Sequence, residues 1–157
     1  MIPSPLFDAL TVTATVGLTA SLLAVAWIDL RSFRIPDTIS LPLIVAGLAL
    51  AALTPGLPDH LIGAGVGFAV LAAIGEVYFR RTGEEGLGLG DAKLFAAAGA
   101  WLGWQALPQV LLIAAGAGLI FALIKGNKGQ RIAFGPWLAL GFWGVWMANL
   151  AGMPHPI

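Results

Sequence analysis

The chain has 157 residues, 59% of them hydrophobic and only 10% charged, with a mean hydropathy of +0.90. Soluble domains carry roughly 25% charged residues, so this is the composition of an integral membrane protein. Net charge is zero and cysteine is absent, so no bulk field recruits nucleic acid, and disulfides, thiolate catalysis and cysteine-based zinc sites are excluded.

The first apolar run, Ala9 to Ile28, is long enough to cross a bilayer. Ala24-Val25-Ala26 has the look of a signal cleavage site, yet no Lys or Arg precedes the run, and a secretory signal needs a basic start. A retained helix is expected. A polar loop, Asp29 to Asp37, separates it from a shorter run, Ile39 to Leu53, with Pro42 near its start. Thr54 to Asp59 is rich in turn residues. The third run, Leu61 to Phe79, contains Glu76, and Arg80 to Gly90 forms the next polar loop. Ala92 to Leu107 is a fourth run, expected to break at Pro108, and Gln109 to Ile124 a fifth. Lys125 to Arg131 is polar, and Ile132 to Leu150 is the sixth run. Runs two, four and five are short for a full crossing, so tilt, thinning or helical extension into the loops is expected.

Charge sets the expected topology. All eight basic residues fall in or beside three alternate connections: Arg31 and Arg34; Arg80, Arg81 and Lys93; Lys125, Lys128 and Arg131. Positive residues collect on the cytoplasmic side. The reading is an all-α membrane protein, a bundle of about six transmembrane helices with three cytoplasmic loops and both termini outside. It forms a single integral-membrane domain over residues 1–157. Gly63-x-x-x-Gly67 and Gly99-x-x-x-Gly103 are expected to bring helices close within the bundle, the alternative being a separate dimer face. The six tryptophans are expected in interfacial belts or core packing.

The stretch Glu84-Glu85-Gly86-Leu87-Gly88-Leu89-Gly90-Asp91-Ala92-Lys93 stands apart. Three glycines at alternate positions lead to a carboxylate that opens an apolar helix. It is neither a dinucleotide fingerprint, which needs Gly where Asp91 stands, nor a phosphate-binding loop, which needs Gly-Lys-Ser/Thr. Gly88 and Gly90 permit positive φ or the close approach of another chain. The plainer alternative is a flexible turn whose Asp accepts backbone N–H bonds.

In the expected topology Asp29, ending helix one, and Asp91, starting helix four, lie at one depth. An ionisable group at a membrane helix end points to function. Two carboxylates that share a site cannot both ionise cheaply, so one proton is held between them. That state suits peptide hydrolysis: one Asp takes a proton from water while the other donates to the carbonyl oxygen. No metal or cofactor is called for, and His60 and His155 are too far apart in sequence to make a ligand pair at helical spacing.

At these residues the sequence resembles the prepilin peptidases, or type IV leader peptidases, a family of GxGD intramembrane aspartyl proteases. The matching segments are Trp27-Ile28-Asp29-Leu30, Ile35-Pro36-Asp37-Thr38-Ile39-Ser40-Leu41-Pro42, Glu85-Gly86-Leu87-Gly88-Leu89-Gly90-Asp91-Ala92-Lys93-Leu94 and Ala133-Phe134-Gly135-Pro136-Trp137-Leu138-Ala139. The resemblance implies a catalytic pair at Asp29 and Asp91. It also implies removal of a short basic leader, after a Gly, from prepilin, Flp-type pilin or pseudopilin precursors at the bacterial cytoplasmic membrane. Longer members carry an insertion with paired cysteines linked to N-methylation; with no cysteine here, the resemblance is to the short, peptidase-only form.

Further positions carry weaker expectations. Asp37 either tunes the site or caps the second helix; Lys93 either acts on Asp91 or anchors helix four. Glu85 either meets a basic leader or is a solvated loop charge. Glu76 is expected either to snorkel to the loop or to pair with Arg80 at i+4, and Asp8 and Asp59 read as helix-end residues. A proton or cation pathway and a non-catalytic assembly subunit are the competing function classes. Archaellin-like substrates or helical stubs are alternatives within the peptidase class. The sequence leaves open whether the chain forms a homo-oligomer.

Overall fold

The computed structural model describes residues 4–84, 86–126 and 133–152, with side chains from residue 9 onward. Among these residues six α-helices follow one another: α1 (Ser4–Ser32), α2 (Asp37–Ala51), α3 (Leu57–Thr82), α4 (Leu89–Leu102), α5 (Leu107–Lys125) and α6 (Gly135–Gly152). A single 3₁₀ turn, Trp104–Ala106, leads into α5. No strand occurs among the described residues. Among the described residues, three stretches are long and apolar enough to cross a membrane: Ala9–Ser32, Leu57–Thr82 and Trp104–Lys125. Their outer faces carry Val12, Val16, Leu23, Leu112, Leu123 and Ile124, all more than half exposed, a surface that suits lipid and not water.

Helix ends follow local chemistry. Pro58 and Pro108 sit in the first turns of α3 and α5, where a missing N–H costs nothing. Pro108 therefore starts a helix, whereas the sequence reading had it break one. The fourth run ends earlier than expected, at Leu102, because Gly103 (φ 78°) turns the chain after its N–H caps the Gly99 carbonyl. Gly83 (φ 72°) closes α3 in the left-handed cap that glycine favours. The fifth span gains the length it lacked by starting at the 3₁₀ turn.

α4 is the centre. From Leu94 to Trp101 every residue is buried, and at 14 residues the helix is only about 21 Å long, short of the roughly 30 Å hydrocarbon layer. It is wrapped by α2, α3 and α6, so protein and not lipid sets its length. The Gly-x-x-x-Gly pair makes the closest approach: Gly63 of α3 meets Gly99 of α4 backbone to backbone, and a Cβ on Gly67 would fall 2.8 Å from the Phe95 carbonyl. Both motifs thus serve packing within the bundle. Gly47 of α2 accepts the Trp101 ring, whose Nε1 donates to the Leu43 carbonyl at 2.8 Å. Trp101 also meets Trp146 of α6 edge-on at 5.3 Å.

α1 leans on α6, not on α2. Trp146 and Trp143 donate to Thr15 and Thr19 at 3.1 and 3.2 Å. At the far end from the glycine-rich loop, Asp59 accepts from Trp104 and Gln105, tying the start of α3 to the 3₁₀ turn.

Candidate active site

α1 ends one turn after Asp29. The Phe33 N–H caps the Asp29 carbonyl at 2.9 Å, and Phe33 takes a left-handed conformation (φ 51°) that reverses the chain. Ile35 is thereby turned inward and buried, and Pro36 receives the N–H groups of Ile39 and Ser40 to open α2. This short reversal sets the Asp29 and Ile35 side chains among the starts of other helices.

Asp29 is 5% exposed, the one buried charged side chain among the described residues. A buried carboxylate is tolerated only when hydrogen-bonded, and its donor comes from the far end of the chain: the Gly135 N–H reaches Asp29 Oδ2 at 2.9 Å. Phe134 caps α6, accepting from Trp137 and Leu138, so Gly135 is the first residue of the helix, and Pro136 beside it has no N–H to offer. The partial positive charge of the α6 start adds to this single bond.

Asp91 stands on the third position of α4 and is half-buried. Its Oδ2 accepts the Gly88 N–H at 3.1 Å, one half of a capping box. The plain capping role is therefore present. It does not account for the other oxygen, because Oδ1 is buried with no hydrogen-bond partner. Unsatisfied buried polar atoms are rare in folded proteins and often mark function. Ile35 links the supports of the two acids. A Cβ on Gly90 would lie 2.9 Å from Ile35 Cβ, and one on Gly135 would lie 3.1 Å from Ile35 Cδ1 and 2.6 Å from Asp29 Oδ2.

Of the predicted site residues, Gly90 lies against Ile35 with Asp91 next to it in sequence, and Asp29 meets Gly135, which also faces Ile35. Gly90 is needed for close approach and not for positive φ, since the described glycines with positive φ are Gly83, Gly103 and Gly126; the approaching group is Ile35. Gly88 is exposed and extended (φ −82°, ψ 157°), with room for a Cβ. Lys93 turns away from the role of acting on Asp91: its Nζ forks onto both Asp37 oxygens, at 2.6 and 2.7 Å, and pins α2 to α4. Asp37 makes no side-chain cap on α2. This pair is partly exposed and contributes at most about 1 kcal/mol. Glu85 lies outside the described residues. Glu76 pairs with Arg80 at 2.6 Å, the second of its two expected arrangements. Among the described residues, no group of three or more His, Asp or Glu side chains is placed to hold a metal ion.

Sequence reasoning assigned no role to Ile35 or Gly135, although both stood in matched segments. The signal present was Gly135-Pro136, a helix start with one free donor; what that donor meets depends on how α6 packs against α1.

A profile of the type IV leader peptidase family matches residues 16–123. The prepilin leader peptidase/N-methyltransferase of Aeromonas salmonicida is 43% identical over 137 residues, 83% of this chain and 47% of that protein. Proteins of the same name from Burkholderia pseudomallei and Escherichia coli are each 44% identical, over 82% and 76% of this chain and 44% and 56% of theirs. The chain spans about half the length of the curated relatives it matches. No solved structure matches it. Family profile and relatives agree over most of the sequence, Asp29 and Asp91 included in the profile's range: the chain belongs to the type IV leader peptidase family.

Proposed function

We propose that this chain is a membrane-embedded aspartyl endopeptidase, a single integral-membrane peptidase domain in the bacterial cytoplasmic membrane. It removes the short basic leader from prepilin, Flp-type pilin or pseudopilin precursors. The observation that carries the reading is the carboxylate pair: two acids from different helices, one bonded to Gly135 and the other following Gly90, both glycines facing Ile35, with one acid buried and the other keeping an unpartnered buried oxygen. The names of the relatives supply the substrate class, and the carboxylates supply a chemistry that suits it.

With one proton shared by Asp29 and Asp91, the ionised member takes a proton from water as the water oxygen bonds to the scissile carbonyl carbon. The protonated member gives its proton to the carbonyl oxygen. Collapse of the tetrahedral intermediate breaks the C–N bond: the departing amine receives the proton taken from water, and one hydroxyl of the intermediate returns its proton to the carboxylate that donated it, which restores the singly protonated pair. The proposal covers this hydrolysis alone; methyl transfer, the second activity in the relatives' name, stays with those proteins.

The site end of the bundle faces the cytoplasm in this reading, with six crossings and both termini outside, because the basic residues gather in the three connections at that end. A proton or cation pathway is not favoured. Such a relay needs acids in succession through the bilayer, and Asp59, near the opposite end, is engaged by Trp104 and Gln105.

The test is cleavage in nanodiscs of prepilin, Flp-type and pseudopilin precursors, with the new N-terminus mapped by mass spectrometry. Wild-type protein should cut at least one class after a Gly, and Asp29→Asn and Asp91→Asn should lose roughly 10³-fold or more. Absence of cleavage of every one of the three, or full activity in either Asn variant, overturns the reading.

A further inference from the structure

A buried carboxylate used as a base must be held in one orientation, yet the residues around Asp29 in sequence do not hold it. Its neighbours Ile28 and Leu30 are apolar, and the polar group that reaches it comes from the start of α6. That start is itself braced. Trp137 packs on Gly118 and lies 5.0 Å from Phe121 of α5, while Trp143 and Trp146 tie α6 to Thr19 and Thr15 of α1. The Gly135 N–H therefore approaches Asp29 from a rigid frame, anchored on the same helix that carries Asp29.

The space at Gly135 is as restrictive as the bond. A Cβ there would stand 2.6 Å from Asp29 Oδ2, 3.0 Å from Asp29 Cγ and 3.1 Å from Ile35 Cδ1. Any side chain would push the carboxylate off its donor or push the helix start away. Position 135 must both donate an N–H and carry no side chain, and Pro136 next to it removes the neighbouring N–H as a rival donor.

We propose that Gly135 is a positioning residue: its N–H holds Asp29 Oδ2, and its missing side chain leaves the carboxylate where it can act with Asp91. This rests on the reading of Asp29 and Asp91 as the catalytic pair. Gly135 is buried and acts through Asp29, so its loss belongs in kcat and not in KM.

The experiment measures kcat and KM on a soluble leader peptide with the full chain in nanodiscs, beside thermal melting of each protein. Gly135→Ala should lower kcat about 10²-fold, the effect of moving a reacting group by about 1 Å, with KM within about twofold of wild type. A second protein, made by cell-free translation with glycolic acid at position 135, exchanges the N–H for an ester oxygen and adds no atom to the crowded side. It should lose roughly tenfold in kcat, the scale of one hydrogen bond to a charged group. Gly135→Ala is also made in an Ile35→Val background, which removes Cδ1. Relief of simple crowding against Ile35 would return kcat to that of Ile35→Val alone, and that result overturns the proposal. Wild-type kcat in the glycolate protein overturns it equally, as does a Gly135→Ala defect confined to KM. Where Gly135→Ala does not fold, the glycolate protein decides. Asp29→Asn in the same assay separates the two ideas: activity there removes the dyad itself, whereas an inert Asn variant beside active position-135 variants removes Gly135 alone.

Discussion

At the scale of single residues, the two acids are held differently, and the difference is chemical. Asp29 is buried and anchored from another helix; Asp91 caps its own helix and keeps Oδ1 free of partners. Hydrolysis by the pair requires one proton shared between them, so the rate should fall on both sides of a pH optimum. The two limbs belong to the pair and not to either residue. Asp29→Glu and Asp91→Glu should each cost about 10²-fold, because one added methylene displaces the carboxylate by about 1 Å. A pH–rate profile on a soluble leader peptide checks both points; a flat profile would mean the acids share no catalytic proton. Gly90 offers a sharper contrast. A valine there meets Ile35 backbone and side chain, whereas Gly65 has nothing within 4 Å of an added Cβ. Gly90→Val should abolish cleavage with the protein still inserted, and Gly65→Val should retain it, as measured by precursor processing against membrane-fraction abundance.

Between elements, backbone contact dominates. Gly63 and Gly99 bring α3 and α4 together so closely that neither position has room for a Cβ, and the obstructing atoms are main-chain. Overpacking a core typically costs 1–3 kcal/mol, and a clash against backbone cannot be relieved by a rotamer change. Gly99→Val should therefore lose that much stability or more, read as a lower melting temperature in detergent, while Gly116→Val, which faces open space in α5, should stay near wild type. The Gly-x-x-x-Gly spacing made this crossing legible in advance, because small residues one turn apart share a helix face. The Glu76–Arg80 pair was legible for the same local reason. Lys93 with Asp37 was not: the two are 56 residues apart in sequence, and only the packing of α2 on α4 gives Lys93 an acid other than Asp91.

For the molecule as a whole, charge makes a definite statement about orientation. If the basic connections face the cytoplasm, a cysteine at Arg81 should react only with reagent supplied from that side. One at Gly56, in the turn before α3, should react only from outside. Both positions are exposed or partly exposed. Labelling intact cells and inverted vesicles with a membrane-impermeant maleimide measures this, and equal labelling from both sides would discard the six-crossing arrangement. The short α4 fits such an arrangement because protein covers it on nearly every face.

What the sequence by itself determined is whatever depends on neighbours along one helix. Hydrophobic runs specified that six helices form, proline and glycine marked most of their ends, and the Asp91 loop announced itself by its glycines. Family membership also follows from sequence, since the matched profile reads those same residues. The tertiary structure alone decided which groups from distant helices meet. Ile35 came to rest between Gly90 and Gly135, and a backbone N–H from α6 became the partner of Asp29. The reason is geometric: periodicity specifies which face of a helix is apolar, but the register and angle at which α6 lies on α1 depend on the Trp143–Thr19 and Trp146–Thr15 contacts, made between residues more than a hundred positions apart.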